Sequence, residues 1–116
     1  MIYWNTVKSK ESTAMNHVIT IRNRRITVDN PTLIKGCRNS DTITLDTDEE
    51  WEGKTITVYV GSEEHQVLAR YDGTPMSIDI DFPTGYLPVM VKGETQDGII
   101  YTEQANHAFR VKAGKQ

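Results

Sequence analysis

Short runs in which apolar and polar residues alternate recur along this chain, and they constrain its fold more than any other feature of the sequence. In the clearest run, residues 55–60, Ile56, Val58 and Val60 share one face of an extended strand. Residues 66–71 repeat the alternation after a turn, so the two runs predict an antiparallel hairpin. Turns separate about eight such runs, and no run has helical periodicity. The sequence therefore predicts an all-β, antiparallel sandwich of about seven or eight short strands.

The other alternating runs predict where most of the core lies. Residues 17–21 and 25–28 are interpreted as two halves of one edge strand, interrupted at Asn23. Residues 42–46 and 76–82 alternate with a clear apolar face, and we expect that face to be buried. The predicted core side chains are Trp51, Ile56, Val58, Val60, Ile78, Ile80 and Phe82.

In the last third of the chain, proline and glycine residues modify the strands that the alternation predicts. Residues 86–92 alternate, but Pro88 has no N–H group for a strand partner, which predicts an edge position or a bulge at that point. Gly93 and the pair Asp97-Gly98 are expected to bracket the following turn. Strands at residues 99–102 and 108–111 complete the predicted sandwich.

Length and charge exclude several classes of protein. The 116 residues suit one domain, which we place at residues 17–114, after an N-terminal arm at residues 1–16 that has no periodicity. Lysine and arginine total 13 against 16 aspartate and glutamate, a net charge of −3, so we expect neither a nucleic-acid nor a membrane partner. The single cysteine, Cys37, cannot form an intrachain disulfide. No stretch has the pattern of a signal peptide or of a membrane span.

Several short motifs carry a resemblance to a known family. They are the PTLIKG loop and the EWEG corner within residues 27–53, followed by the strand KTITVYV. In these features the chain resembles the immunoglobulin-like β-sandwich modules in tail and baseplate proteins of phages and prophages of Gram-positive bacteria. The resemblance implies an immunoglobulin-like fold and a structural or host-contact role, with no catalytic residue to carry over. The N-terminal arm and the lack of an attached tail-fibre or coiled-coil segment depart from the family, which favours a connector or accessory role.

The region around Trp51 has two possible functions besides packing. We expect the indole to close one end of the core, because large aromatic side chains are mostly buried in small domains; a platform for stacking a sugar ring is the alternative. The acidic run at residues 46–50 resembles a set of calcium ligands. Its spacing lacks the central glycine and terminal glutamate of an EF-hand loop, so we expect a solvated turn and no metal.

We predict no catalytic site and no cofactor. His17, His65 and His107 lie on different predicted strands, without the spacing of metal ligands. Cys37 has no neighbouring base in the sequence and is typical of a small buried residue. Nucleophile-elbow and phosphate-loop patterns are missing. The chain is therefore not expected to be an enzyme.

Two groups of residues are predicted interaction sites. Tyr3 and Trp4 are aromatic residues in a polar arm and would either dock on a neighbouring subunit or fold back on the sheet. Arg22, Arg24 and Arg25 form a basic patch that would seat an acidic partner, or else protect a sheet edge from aggregation.

These observations lead to one expected function and one alternative. We expect a non-catalytic structural or interaction module of a phage tail or baseplate, which assembles with other virion proteins and with copies of itself through sheet edges and the arm. Its expected location is the virion, after synthesis in the host cytoplasm. The alternative is a carbohydrate-binding or host-surface adhesion module that contacts a glycan.

Overall fold

Ten β-strands make up nearly all the regular structure of the part of the chain that the structure describes. The computed structural model describes residues 15–62 and 66–114. The strands are β1 (Met15–Arg22), β2 (Arg25–Asp29), β3 (Thr32–Ile34), β4 (Asp41–Thr47), β5 (Thr55–Val60), β6 (Val67–Tyr71), β7 (Met76–Ile78), β8 (Gly85–Thr95), β9 (Gly98–Tyr101) and β10 (Ala105–Lys112). A 3-10 helix, Glu49–Trp51, lies between β4 and β5. Within the described residues, no helix is long and apolar enough to cross a membrane.

The strands form two sheets, and the predicted all-β sandwich is confirmed. The smaller sheet has the order β2-β1-β4-β7, and the larger has the order β3-β10-β8-β5-β6, with β9 also paired to β8. The sandwich is not purely antiparallel as predicted, because β1 runs parallel to β4 and β3 runs parallel to β10. Alternation identifies which residues share a face, but it carries no information on the direction of a partner strand. The three-residue strands β3 and β7 are also too short to show a period, which explains the predicted count of seven or eight.

The interpretation of residues 17–28 as two halves of one strand was wrong. The chain reverses at Asn23 and Arg24, and β1 and β2 pair as an antiparallel hairpin in which Arg22 lies opposite Arg25. Asn23 and Arg24 have φ angles of 53° and 63°. Positive φ at both central residues is the signature of the type I′ turn, whose twist matches that of the strands it joins. Asparagine tolerates this conformation, so Asn23 begins a turn here.

Pro88 lies in a central strand and not at an edge, because β8 has partners on both sides. The strand tolerates proline there because β5 ends beside it. The N–H of Gly61 donates to the Pro88 carbonyl at 2.9 Å, and the Gly61 carbonyl accepts from the Gln66 side-chain amide at 3.4 Å. On the other side of β8, the register with β10 shifts between Ala105 and Phe109. The irregularity predicted from this proline is therefore found opposite it, in the neighbouring strand.

The core lies between the two sheets. All seven predicted core residues are buried, including Trp51 at 1% exposure. Strand β1 begins at Met15, two residues before the predicted start of the sandwich. The buried apolar side chains beyond the predicted seven are Ile19, Ile21, Leu33, Ile43, Leu45, Leu87, Val89, Val91, Ala108, Phe109 and Val111.

Gly93 does not bracket a turn as predicted but lies inside β8, under Trp51. A Cβ atom at position 93 would lie 2.9 Å from Cε3 and Cζ3 of the indole and 3.1 Å from Cδ of Lys54. The indole N–H has no hydrogen-bond acceptor among the described residues. The ring is therefore held by packing, within the core cluster and against the backbone of Gly93.

We expect Gly93→Ala to lower the free energy of unfolding by about 1–3 kcal/mol, because the added methyl group would displace a buried indole in a closely packed core. Gly98→Ala is the matched control, because a Cβ atom there meets nothing within 4 Å. Urea unfolding followed by tryptophan fluorescence measures both variants. Equal stabilities of the two variants would contradict this role for Gly93.

Candidate functional site

The outer faces of the two sheets differ in chemistry. The outer face of the smaller sheet is rich in threonine, and the side-chain oxygen of Asn16 accepts hydrogen bonds from the hydroxyl groups of Thr42 and Thr44 at 2.9 and 3.0 Å. These two hydroxyl groups therefore have partners within the sheet. The outer face of the larger sheet carries aromatic and cationic side chains instead. We call it the tyrosine face and define it by the outward side chains Tyr59, Tyr86, Met90, Lys92 and Tyr101 and their outward neighbours on the same sheet.

One end of the tyrosine face is organised around Lys92. In the strand register Lys92 lies opposite Tyr101 of β9, and its Nζ lies 3.4 Å from Oε1 of Glu94. The nearby Tyr59 phenol, then the Glu94 carboxylate, raise the pKa of Lys92 above its usual value, because negative charge at either group favours the ammonium form. Lys92 is therefore a stable cation between two tyrosine rings.

The other end of the tyrosine face is organised around Tyr86. Its ring lies 4.2 Å from the His107 ring, centroid to centroid, with 37° between the planes. The guanidinium carbon of Arg110, the register partner of Tyr86 in β10, lies 5.8 Å from the centroid of the tyrosine ring. Even with both neighbours, the Tyr86 side chain is 59% exposed. The tyrosine ring is thus held in position while much of it faces solvent. We call Tyr86, His107 and Arg110 the Tyr86 cluster.

An open groove of about 430 Å³ adjoins the Tyr86 cluster. Besides Arg110 and Lys112, small residues and backbone line most of it, from Thr84 and Gly85 on one side to Ala113 on the other. Gly85 has a φ angle of +120°, a conformation that L side chains rarely adopt, so the chain there bends without adding a side chain to the groove. The groove therefore offers space and positive charge next to an exposed aromatic ring.

The tyrosine face is cationic although the whole chain has a net charge of −3. Four outward cations, Arg70, Lys92, Arg110 and Lys112, stand against the carboxylate of Glu94 on the described strands of this face. In the part of the chain that the structure describes, Arg110 and Lys112 form no ion pair. This distribution of charge suits an anionic partner.

The predicted arginine patch lies at the tip of the β1–β2 hairpin, where two of its three arginines form ion pairs with acidic residues. Arg22 Nη2 lies 3.1 Å from Oδ2 of Asp46. Arg24 Nε lies 3.1 Å from both carboxylate oxygens of Glu50. Arg25 forms no ion pair among the described residues and points outward beside Arg22. Two of the three arginines therefore attach the hairpin to the acidic run.

The acidic run at residues 46–50, which resembles a set of calcium ligands, has its partners in the β1–β2 hairpin. Besides the two ion pairs, Oδ2 of Asp48 accepts a hydrogen bond from the backbone N–H of Asn23 at 2.9 Å. Within residues 15–62 and 66–114, no three His, Cys, Asp or Glu side chains are arranged to hold a metal ion. The run binds the turn of the neighbouring hairpin.

Other sequence-based candidates are dispersed. Tyr3, Trp4 and His65 lie outside the described residues. Trp51 is buried, so its ring is not available to a sugar. Cys37 is half-buried and packs against the core. His107, in contrast, belongs to the Tyr86 cluster.

The Arg24–Glu50 pair generates a prediction about acidity. The hydrogen bonds from Arg24 hold the pKa of Glu50 below its usual value. The contribution of this pair to folding is therefore present at neutral pH and is lost as the pH falls through the lowered pKa of Glu50. We expect Arg24→Gln to raise the pKa of Glu50 towards its usual value, as measured by NMR titration of the side-chain carboxyl carbon. Arg25→Gln removes the same charge one residue away and should leave this titration nearly unchanged; an equal shift would mean that the effect is a general one of net charge.

Buried His17 and Asp41, with the half-buried Ser40, form a polar trio that resembles a catalytic triad. His17 is 0% exposed, and its Nε2 lies 2.7 Å from Oδ2 of Asp41. Its Nδ1 lies 2.6 Å from the Asn30 carbonyl, which can only accept, so Nδ1 carries a proton. The Ser40 hydroxyl donates to the other oxygen of Asp41 at 2.9 Å.

Triad chemistry requires a contact between the hydroxyl group and the imidazole, and this trio lacks one. Both nitrogens of His17 are already occupied, and the ring packs edge-on against Phe109 with centroids 5.7 Å apart. Through its contacts with Asp41 and with the Asn30 carbonyl, His17 instead joins β1 to the start of β4 and to the loop after β2. Its role is to satisfy buried polar groups at this junction.

We expect Asp41→Ala to lower the free energy of unfolding by about 3–5 kcal/mol, because it leaves a buried imidazole without its partner. Asp46→Ala removes a carboxylate from the exposed pair with Arg22 and should cost less than about 1 kcal/mol. Denaturant unfolding of both variants makes the comparison. A loss for Asp41→Ala no larger than that for Asp46→Ala would contradict the structural role of the pair.

The sequence predicted neither the Tyr86 cluster nor the groove. Alternation over residues 86–92 does indicate that Tyr86 points away from the core. What it could not indicate is that a shift in register brings His107 and Arg110 to the same ring.

No protein-family model matches this chain, and neither a curated protein nor a solved structure matches it.

Proposed function

We propose that this chain is a non-catalytic interaction module of a phage particle, a tail or baseplate component that contacts its partner through the tyrosine face. The observation that carries the proposal is the exposed Tyr86 ring, held between the side chains of neighbouring residues on a rigid sheet. Aromatic residues fixed in this way lose little conformational entropy when a partner binds. The assignment to a phage particle rests on the resemblance of residues 19–114, with most of the motifs in residues 27–60, to the immunoglobulin-like tail and baseplate modules.

The way the charges are distributed supports a binding role. Arg22 and Arg24, at the hairpin tip, are neutralised by acids from the same chain, whereas the cations of the tyrosine face are largely available to a partner. The partners we propose are other virion proteins and further copies of the chain. Host-surface adhesion through a glycan is the second candidate, and the combination of exposed tyrosine rings with cations favours it.

Mass spectrometry of purified phage particles tests the proposed location. We expect peptides of this chain in particles purified on a density gradient from the phage or prophage whose genome encodes it, together with known tail proteins. Immunogold labelling should place the chain on the tail or baseplate. The control is a non-virion protein of the same phage, which should be lost during purification. Loss of the chain along with that control would refute the assignment to the particle.

A further inference from the structure

We infer that the Tyr86 end of the tyrosine face is a binding site for an anionic polysaccharide. In this site a sugar ring stacks on Tyr86, and a carboxylate, sulfate or phosphate group of the same polymer binds Arg110 and Lys112 in the adjoining groove. The inference deepens the second candidate function, adhesion to a host-surface glycan, and it rests on that candidate for the biological source of the ligand, a host-surface polymer.

The aromatic half of the site is the Tyr86 ring. Sugar rings present apolar C–H faces, which pack on exposed aromatic rings. Tyr86 is 59% exposed, and contacts with His107 and Arg110 hold it in position, so binding need not fix a mobile ring. By contrast, the outer face of the smaller sheet carries hydroxyl groups that are already hydrogen-bonded to Asn16.

The anionic half of the site is the groove. Arg110 and Lys112 line it from one strand, and neither forms an ion pair within the described residues. Guanidinium groups bind carboxylate, sulfate and phosphate oxygens in pairs, and an ammonium group adds a second positive charge. The volume of about 430 Å³ lies in the range of pockets for small ligands. A charged sugar unit therefore fits next to the stacking ring.

A second cluster on the same face, Lys92 with Tyr59 and Tyr101, favours an extended polymer over a single sugar. Lys92 lies six residues along β8 from Tyr86, a distance of about 20 Å in a strand. Tyr101 and Tyr59 flank Lys92 on the same face. A polymer that runs along β8 can contact both clusters at once, which strengthens binding without new contacts at either one.

Charge density favours a polysaccharide over nucleic acid. Single-stranded nucleic acid carries one phosphate per nucleotide and stacks successive bases on closely spaced aromatic rings. Here the two clusters are separated by about 20 Å along β8, and the whole chain has a net charge of −3, which repels a densely charged polymer. A polysaccharide with fewer charges meets less of this repulsion.

NMR titration of the full chain, labelled with ¹⁵N, tests the site. The probes are hyaluronan oligosaccharides for carboxylate, sparsely sulfated dextran for sulfate, sparsely phosphorylated dextran for phosphate, neutral dextran, and a single-stranded oligonucleotide. We expect at least one anionic saccharide, but not neutral dextran, to shift the amide signals of residues 84–87 and 107–113. Tyr86→Ala and Arg110→Gln should each weaken binding at least about tenfold, and Tyr86→Phe, which keeps the ring, should stay close to the wild type.

Arg70→Gln is the matched control, because it removes the same charge from the same face but on β6, away from the groove. We expect it to weaken binding by no more than about twofold. Spectra of the free variants that match the wild type elsewhere show that the fold is kept. Three results would each overturn the site: no anionic saccharide shifts these signals at about 5 mM, Arg70→Gln weakens binding as much as Arg110→Gln, or the oligonucleotide binds there more tightly than every saccharide. Particle composition is measured separately, so the site can fail while the virion assignment stands.

Discussion

The packing of Trp51 against Gly93 connects the two sheets at the point where the chain passes from one to the other. The 3-10 helix that carries Trp51 follows β4 of the smaller sheet, and Gly93 belongs to the central strand of the larger one. Because Gly93 has no side chain, the indole ring and the corner that carries it can lie directly on β8. Strand β8 in turn pairs with β5, β9 and β10, so this one contact aligns the core with most of the larger sheet and, on its other side, with the tyrosine face.

Two polar junctions hold the smaller sheet together, and each makes a different contribution. Buried His17 and Asp41 join β1 to β4 where these strands run parallel, and both nitrogens of His17 have partners there. At the other end of β1, exposed ion pairs attach the hairpin to the acidic run. Burial makes the first junction energetically demanding, whereas solvent screens the second. Arg22 and Arg24 thus have structural partners within the chain, which weakens the case for an external partner at these two residues.

On the outer surface of the larger sheet, Arg110 and Lys112 lie beside an aromatic ring and a groove and form no ion pair among the described residues. Arg110 is positioned by the Tyr86 ring and not by a carboxylate, and Lys112 lies beside a groove lined by small residues. Strands keep such side chains at fixed spacings, because every second residue along β8, and along β10 from Phe109 onwards, points to the same side. A rigid face of this kind is suited to binding an extended partner, and the proposed polysaccharide site follows from that geometry.

Much of the fold could be predicted from local patterns, because the alternation of side chains in a strand depends only on its own residues. Residues 55–60 and 66–71 form the predicted hairpin, and Trp51 lies in the core. Positions governed by a distant partner could not be predicted in this way. Gly93 resembled a turn residue because its tryptophan is far away in the sequence. Asn23 resembled an interruption because the pattern of residues 17–28 did not reveal that β1 and β2 pair with each other.

The candidate site shows the same division. By itself the sequence determined that Tyr86 points away from the core and that an acidic run and a group of arginines each occupy a short stretch of the chain. Only the tertiary structure decided that Arg22 and Arg24 meet acids, while Arg110 and His107 meet Tyr86 across a shifted register. The physical reason is that the direction a side chain points is set by local backbone geometry, whereas its neighbours are set by the pairing and register of strands that are distant in sequence.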